Sequence, residues 1–400
     1  MTALAPATRR DERRTLAVAS GAHALHDGYT DLIYVMLPIW QAEFGLSYAA
    51  VGVLRGVFAG TMAGLQIPAS FLADRLGAAA VLAGGTALAG LGYCLAGLSG
   101  SFAMLIAALL VGGIGASTQH PIASALVARA FAGPRSLKAL GTYNFAGDIG
   151  KMTVPALAAL MITLMPWRPA LGILGAFGCV AALAIILVIP RVAGAAIGEK
   201  QTPSGSGPAP ARRFAFPTLL SIGVIDSATR MGFLTFLPFV LTAKGAGLPA
   251  IGIAMTLVFA GGAAGKLVCA FIGARIGSTA TVCVTEALTA ILILAILPLP
   301  LEAAMLLLPL IGVALNGTSS VLYGSVPVVV APERRMRAFG IFYTGTIGSG
   351  AVAPVFYGLA GDALGLTGAV ILVAAIVLIT IPLVLILRTA LAQRQSPSTA

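Results

Sequence analysis

The stretch VFAGTMAGL at residues 57–65 returns as VFAGGAAGK at residues 258–266. The echo extends both ways at offsets of 199 to 201. Leu37-Pro38 is answered by Leu237-Pro238, Asp27 by Asp226, and Arg75-Leu76-Gly77 by Arg275-Ile276-Gly277. Ala139-Leu140-Gly141 is answered by Ala338-Phe339-Gly340, and Pro155 by Pro354. A single self-repetition at this spacing makes the chain two halves of one architecture.

Composition says what solvent that architecture meets. The chain is 58% hydrophobic and 9% charged, with mean hydropathy +1.00. A soluble domain carries about 25% charged residues, so this chain cannot cover a water-facing surface. Apolar runs long enough to cross a bilayer fall at 15–41, 47–73, 79–98, 102–130, 138–164 and 168–190. Six more follow at 215–243, 249–273, 279–299, 303–331, 338–361 and 366–387. The stretch GEKQTPSGSGPAPARR between the sixth and seventh has linker composition. The expected organisation is a tail (1–14), a six-helix bundle (15–190), a linker (191–214), a second bundle (215–388) and a second tail (389–400).

Outside the spans, every Lys and Arg except Arg168 and Lys244 falls on the side of the N-terminus. The positive-inside rule then places both termini in the cytoplasm of a cell membrane. The basic first residues read as a cytoplasmic tail rather than a signal peptide. The net charge of +11 follows from this topology and from anionic lipid, not from nucleic acid. Cys94, Cys179, Cys269 and Cys283 are isolated and read as inert buried thiols. GGAAGKL at 261–267 has the wrong spacing for a nucleotide loop and lies inside a span. No acid–base–nucleophile trio marks an enzyme, and no cofactor is implied.

Two parallel six-helix repeats of this kind are the plan of the major facilitator superfamily, which the whole chain resembles. The first half is similar to its fosmidomycin-resistance branch. The residues that carry this are His23-x-x-His26-Asp27, EFGLSYAAVGVL from Glu43, Asp74-Arg75-x-Gly77, His120-Pro121 and ALGTYNFAGDIG from Ala139. Ser70 stands where that gating motif usually has Gly, and Ala78-Ala79 replace its basic pair; Arg55, Lys151 and Lys266 also depart from the branch pattern. The resemblance implies an all-α membrane protein with twelve transmembrane helices in two pseudo-symmetric bundles. It implies a site between the halves, gating by Asp74, Arg75 and Gly77, and spans three, six, nine and twelve as supports. Gly147-x-x-Gly150 with Pro155 loosely resembles the antiporter motif.

Ionisable groups inside spans are costly and normally face a cavity or a partner. Span one carries His23, His26, Asp27 and Asp31; His23, Asp27, Asp31 and Tyr34 share one helical face. Arg55, His120, Asp148, Lys151, Asp226, Arg230 and Lys266 lie in spans two, four, five, seven and eight. Asn144, Asp148 and Lys151 share a face. Asp148–Lys151 and Asp226–Arg230 are each either neutralising pairs or binding pairs, and no cation near in sequence neutralises Asp27 and Asp31 together. Glu286 alone breaks the support rule; it is read as near the cytoplasmic boundary and given no role.

Clustered carboxylates and histidines are the groups that exchange protons near neutral pH. The expected proton-coupling set is His23, His26, Asp27, Asp31 and Asp148. The expected substrate-binding set is Tyr34, Arg55, His120, Asn144, Lys151, Asp226, Arg230, Lys266, Asn316 and Tyr323, with Ser117, Thr118, Gln119, Ser319 and Ser320 as polar context. Its cations suit a carboxylate, phosphate or phosphonate. The expected activity is a monomeric proton-coupled exporter of a small polar or anionic compound such as a phosphonate-like antibiotic. Alternatives are a proton-coupled importer of an organic anion, a divalent-metal transporter using the His/Asp cluster, and a membrane sensor without flux.

Overall fold

The computed structural model describes residues 8–131, 134–189, 214–331 and 334–392. Residues 191–213 of the expected linker and the outer parts of both expected tails lie outside the described residues.

All regular structure among the described residues is helical. The helices of the first half are α1 (Arg9–Phe44), α2 (Tyr48–Gly64), α3 (Gln66–Leu76), α4 (Ala78–Gly97), α5 (Phe102–Ala116), α6 (Gln119–Ala130), α7 (Pro134–Leu164) and α8 (Trp167–Val188). The second half holds α9 (Ala215–Ala243), α10 (Leu248–Ile276), α11 (Ser278–Ala295), α12 (Leu301–Val329), α13 (Arg335–Val377) and α14 (Thr380–Ala392).

Proline and glycine explain where helices and expected spans differ. Pro68 and Pro121 lie in the first turns of α3 and α6 and cannot donate to a preceding carbonyl. The second span accordingly breaks at Leu65 with a 45° bend, and the fourth breaks at Ser117-Thr118. The last two spans run together in α13 except at Gly365, whose φ of 76° is open to glycine. α1 starts at Arg9 because Thr8 and Asp11 cap each other: the Asp11 N–H donates to Thr8 Oγ1 (3.2 Å) and the Thr8 N–H to Asp11 Oδ2 (3.1 Å). Among the described residues nine helices are long and apolar enough to cross a membrane, ten if the bent pair counts as one span. α1, whose His and Asp lower its hydropathy, is not among them, and the two spans meeting at Gly365 count once.

The described residues group into two compact units. The first holds α1, α2 from Val57, α3 to α8 and residues 248–256. Its main seams are α4 on α8 and α1 on α7. Between α4 and α8 the backbones touch at Gly90, where an added Cβ would meet the Gly175 carbonyl and the Gly178 Cα. The Thr256 hydroxyl donates to the Met152 carbonyl of α7 at 2.7 Å. Arg168 is tied to Glu43 at 2.8 Å and stacks on Trp167.

The second unit holds residues 45–56, α9, α10 from Leu257 and α11 to α14. Its strongest seam is α9 on α13. Asp362 caps the start of α2, accepting the Tyr48 and Ala49 N–H groups at 2.7 and 3.0 Å. Lys244 donates to the Leu297 and Leu299 carbonyls that follow α11.

The repeat is visible in the cores. Ala19, Leu82, Ile122 and Tyr143 in the first unit occupy the positions of Leu219, Val282, Leu322 and Phe342 in the second. Glycines at the tight turns repeat too: Gly45 with Gly245, and Gly77 with Gly277, all at positive φ. One reading of the thiols is corrected: only Cys269 is buried, and Cys179 lies on an exposed face of α8.

Gly90→Leu is expected to destabilise by about 1–3 kcal/mol through overpacking, read as a lower unfolding temperature of the purified protein in detergent. Gly172→Ala on α8, where nothing lies within 4 Å of an added Cβ, should hold or raise it.

Candidate functional site

Asp27 is the centre of a cluster inside the first unit. α1 carries it between His23 and His26, and all three are at most 6% exposed. Three imidazole nitrogens converge on one of its oxygens. His23 Nε2 lies 3.4 Å from Asp27 Oδ1, and His26 Nε2 and His120 Nε2 each lie 3.9 Å from it. The other oxygen, Oδ2, faces the Lys151 ammonium at 3.4 Å.

Local structure explains each position. The break before Pro121 puts His120 in the first turn of α6, where its ring meets those of His23 and His26 edge-on. α7 delivers Lys151 by lying close against α1. At Gly150 an added Cβ would strike the Ala24 carbonyl, and at Gly147 it would come within 2.6 Å of Asp27 Oδ2 and 2.8 Å of the His23 ring. Gly147-x-x-Gly150 thus makes room for the carboxylate as well as for the helix. Tyr143, also on α7, stacks on His23 with ring centroids 4.1 Å apart. Its backbone carbonyl faces His23 Nδ1 at 2.9 Å.

That last contact fixes a tautomer. A carbonyl only accepts, so His23 Nδ1 carries hydrogen. A neutral His23 then presents the Nε2 lone pair to a carboxylate oxygen, an acceptor facing an acceptor. The contact is attractive only with a proton between them, on the ring or on the carboxyl. The side chains of His120 and Lys151 are about a third exposed, whereas that of Asp27 is 9% exposed. Access to the cluster therefore passes His120 and Lys151 first.

The remaining residues expected in the site distribute as follows. Asp31 and Tyr34 are buried further along α1; on α7, Asp148 is half-buried and Asn144 exposed. Asp74 and Arg75 are exposed at the end of α3, and Gly77 turns the chain into α4 with φ 91°. In the second unit Arg55 is buried, with Nη2 3.7 Å from Met231 Sδ. Asn316 donates to its own helix at the Gly312 carbonyl, and the Tyr323 hydroxyl lies 3.3 Å from Thr346 Oγ1. Lys266 is exposed on α10, and Arg230 is half-buried one turn after buried Asp226.

Asp27 meets a cation remote in sequence: Lys151, brought by α7, lies 3.4 Å from its Oδ2. Glu286, read as near the cytoplasmic boundary, lies midway along α11 and is 1% exposed. Tyr143 was missed, although it stands one turn before Gly147 on the face that meets α1. His23, Asp27 and His120 also bring three potential metal-ligand atoms within 4.8 Å of one another, but the Lys151 ammonium already supplies positive charge there.

Lys151→Met should leave the Asp27 carboxylate buried without its ammonium, costing about 1–3 kcal/mol after allowance for the exposure of Lys151. Unfolding temperature in detergent measures this. Adding Asp27→Asn should restore much of the loss; a double variant no better than Lys151→Met would remove the pair from the account.

Comparison with known proteins places these features. Among curated relatives, the fosmidomycin resistance protein of Escherichia coli (strain K12) is 34% identical over 148 residues, 37% of this chain and 36% of that protein. The cephamycin export protein CmcT of Amycolatopsis lactamdurans is 32% identical over 157 residues, 39% of this chain and 32% of that protein. The chain thus matches about a third of the length of each. A probable 4-methylmuconolactone transporter of Cupriavidus pinatubonensis (strain JMP 134 / LMG 1197) is 24% identical over 90% of this chain and 86% of its own. The fold is shared with a crystal structure of a bacterial homolog of the human lysosomal transporter Spinster, in an inward-facing and unoccupied conformation. The TM-score is 0.81 at 16% identity, covering 98% of this chain and 100% of that one. The family model for the Major Facilitator Superfamily matches residues 19–222 and again 219–400. Matched in both halves, the chain belongs to the Major Facilitator Superfamily.

Proposed function

We propose that the protein is a proton-coupled secondary transporter that exports a small polar or anionic compound of the phosphonate-antibiotic kind by alternating access. In this reading it acts as a monomer in the cell membrane with both termini cytoplasmic. Residues 15–190 and 215–388 form its bundles, and Asp74, Arg75 and Gly77 its gate.

One observation carries the proton coupling: His23 Nδ1 is committed to a carbonyl while its Nε2 faces Asp27 Oδ1 at 3.4 Å. The centre of the cluster needs a proton, and two further imidazoles stand ready to relay one. Lys151 links that proton to cargo. With Asp27 ionised, the ammonium is held by the carboxylate. Export is supported by relatives named for resistance to fosmidomycin and for cephamycin export.

A second reading, symport of a proton with an organic anion, is favoured by this same pair, because protonating Asp27 and freeing Lys151 load proton and anion together.

The test uses the full chain in proteoliposomes, with radiolabelled fosmidomycin as probe. Antiport predicts that an acidic lumen drives accumulation from outside; symport predicts that an acidic exterior does. In either case Asp27→Asn should reduce gradient-driven accumulation to the level of empty vesicles while downhill exchange persists. Accumulation that survives Asp27→Asn would remove Asp27 from coupling.

A further inference from the structure

His26 belongs to two features at once. Its Nε2 faces Asp27 Oδ1 at 3.9 Å, and the residue also lines a small cavity among α1, α4, α5 and α6. Of the residues gathered around Asp27, His26 is the one that reaches this cavity.

Backbone contact sets the walls. α4 and α5 touch where an added Cβ at Gly115 would meet the Ala89 nitrogen and the Gly85 carbonyl, and Gly85 leaves the space that the Thr118 hydroxyl occupies. The break between α5 and α6 brings Thr118 and Gln119 into the same wall as Thr86 and Ala89 of α4.

The cavity has room for about one water molecule, and its wall supplies the hydrogen bonds such a molecule needs. Gln119 is 2% exposed, and its amide Nε2 has no hydrogen-bond partner. His26 Nε2 has none either, since 3.9 Å is beyond the reach of an N–H···O bond. The Thr86 and Thr118 hydroxyls give their hydrogens to the Leu82 and Gly115 carbonyls at 2.8 and 3.1 Å. Their oxygens keep lone pairs for a further donor. A buried amide nitrogen without a partner is costly. A water that accepts from Gln119 and donates to a threonine oxygen and to the imidazole removes that cost.

We propose that this cavity is a water site and that His26 is the relay between its water and Asp27. A proton reaching the water passes to the free lone pair of the imidazole. The imidazolium then gives the hydrogen on its other nitrogen to the Asp27 carboxylate, once the 3.9 Å gap closes to hydrogen-bond distance. Water and imidazole end as they began, and one proton has moved to Asp27. Asp27 thus has a second proton route besides the one past partly exposed His120. The relay deepens the proton-coupled reading above and rests on it; occupancy of the cavity by water does not.

The groups whose charge bears on His26 are His23 and Asp27 on α1, His120 on α6 and Lys151 on α7. A pH step that protonates this cluster should therefore disturb the water bonded to His26. Infrared difference spectra of the full-length protein in lipid nanodiscs, taken across such a step, read this without any cargo. The wild type should show an O–H stretching band that shifts in H2(18)O, which marks it as water. Thr86→Val and Gln119→Leu, which remove polar partners from the wall, should each lose the band or shift it. His26→Leu should lose it from the pH difference, because nothing then joins the water to Asp27. Circular dichroism and elution as a single species check the fold of each variant. A wild-type difference with no isotope-sensitive band, or a band that all three variants keep unchanged, would overturn the proposal. The band does not depend on whether Asp27 couples transport, so failure here and failure in the proteoliposomes are distinguishable.

Discussion

A carboxylate inside an apolar helical unit must be met by positive charge or by a proton, and the geometry around Asp27 is organised by that need. α7 can bring Lys151 to it only because Gly147 and Gly150 let the α7 backbone lie against α1. α6 can bring His120 only because the helix preceding it ends before Pro121. The Tyr143 carbonyl then turns His23 so that its second nitrogen points at the carboxylate. Packing, helix breaks and tautomer serve one electrostatic constraint. Replacing Gly147 with any larger residue would disturb all three, since its Cβ would occupy the space of the Asp27 and His23 side chains.

The two units share a scaffold but not its charges. Core positions recur from Ala19/Leu219 to Tyr143/Phe342, and turn glycines recur at 45/245 and 77/277. The cluster around Asp27 does not recur: His120 corresponds to Ser320 and Lys151 to Gly350. Asp226 keeps the carboxylate of the first repeat, and α11 carries Glu286 where the first repeat has Thr86. Apolar packing tolerates substitution of similar volume at each position. Buried charge is tolerated only with a specific partner, so the electrostatics can diverge where the core cannot.

This difference also explains what could be read from the chain alone. Spans, repeat and the apolar class follow from hydropathy and spacing, which are local properties. The shared face of His23, Asp27, Asp31 and Tyr34 follows from helical periodicity, and all four are buried. Helix breaks at Leu65 and Ser117-Thr118 were signalled by Pro68 and Pro121, yet a window wide enough to find a span averages over them. Pairing between helices is not local. Spacing along α7 offered Asp148 to Lys151, while the fold offered Asp27 from another helix.

In the proposed coupling, a single carboxylate contested by a proton and an ammonium needs no long-range device. Whatever factor a proton at Asp27 applies to the affinity of Lys151 for an anion, the anion applies to the affinity of Asp27 for a proton, because linkage between two binding sites is reciprocal. The direction of net movement then lies outside the site, in the gradients on the two sides of the membrane. One set of residues is therefore compatible with either direction of movement. That is consistent with a chain whose partial matches are named for resistance and export while its longest match is named as a probable transporter of a lactone. In the proposed function, what selects among cargoes would lie in the groups an anion meets before Asp27, and His120 and Lys151 are the two partly exposed members of the cluster.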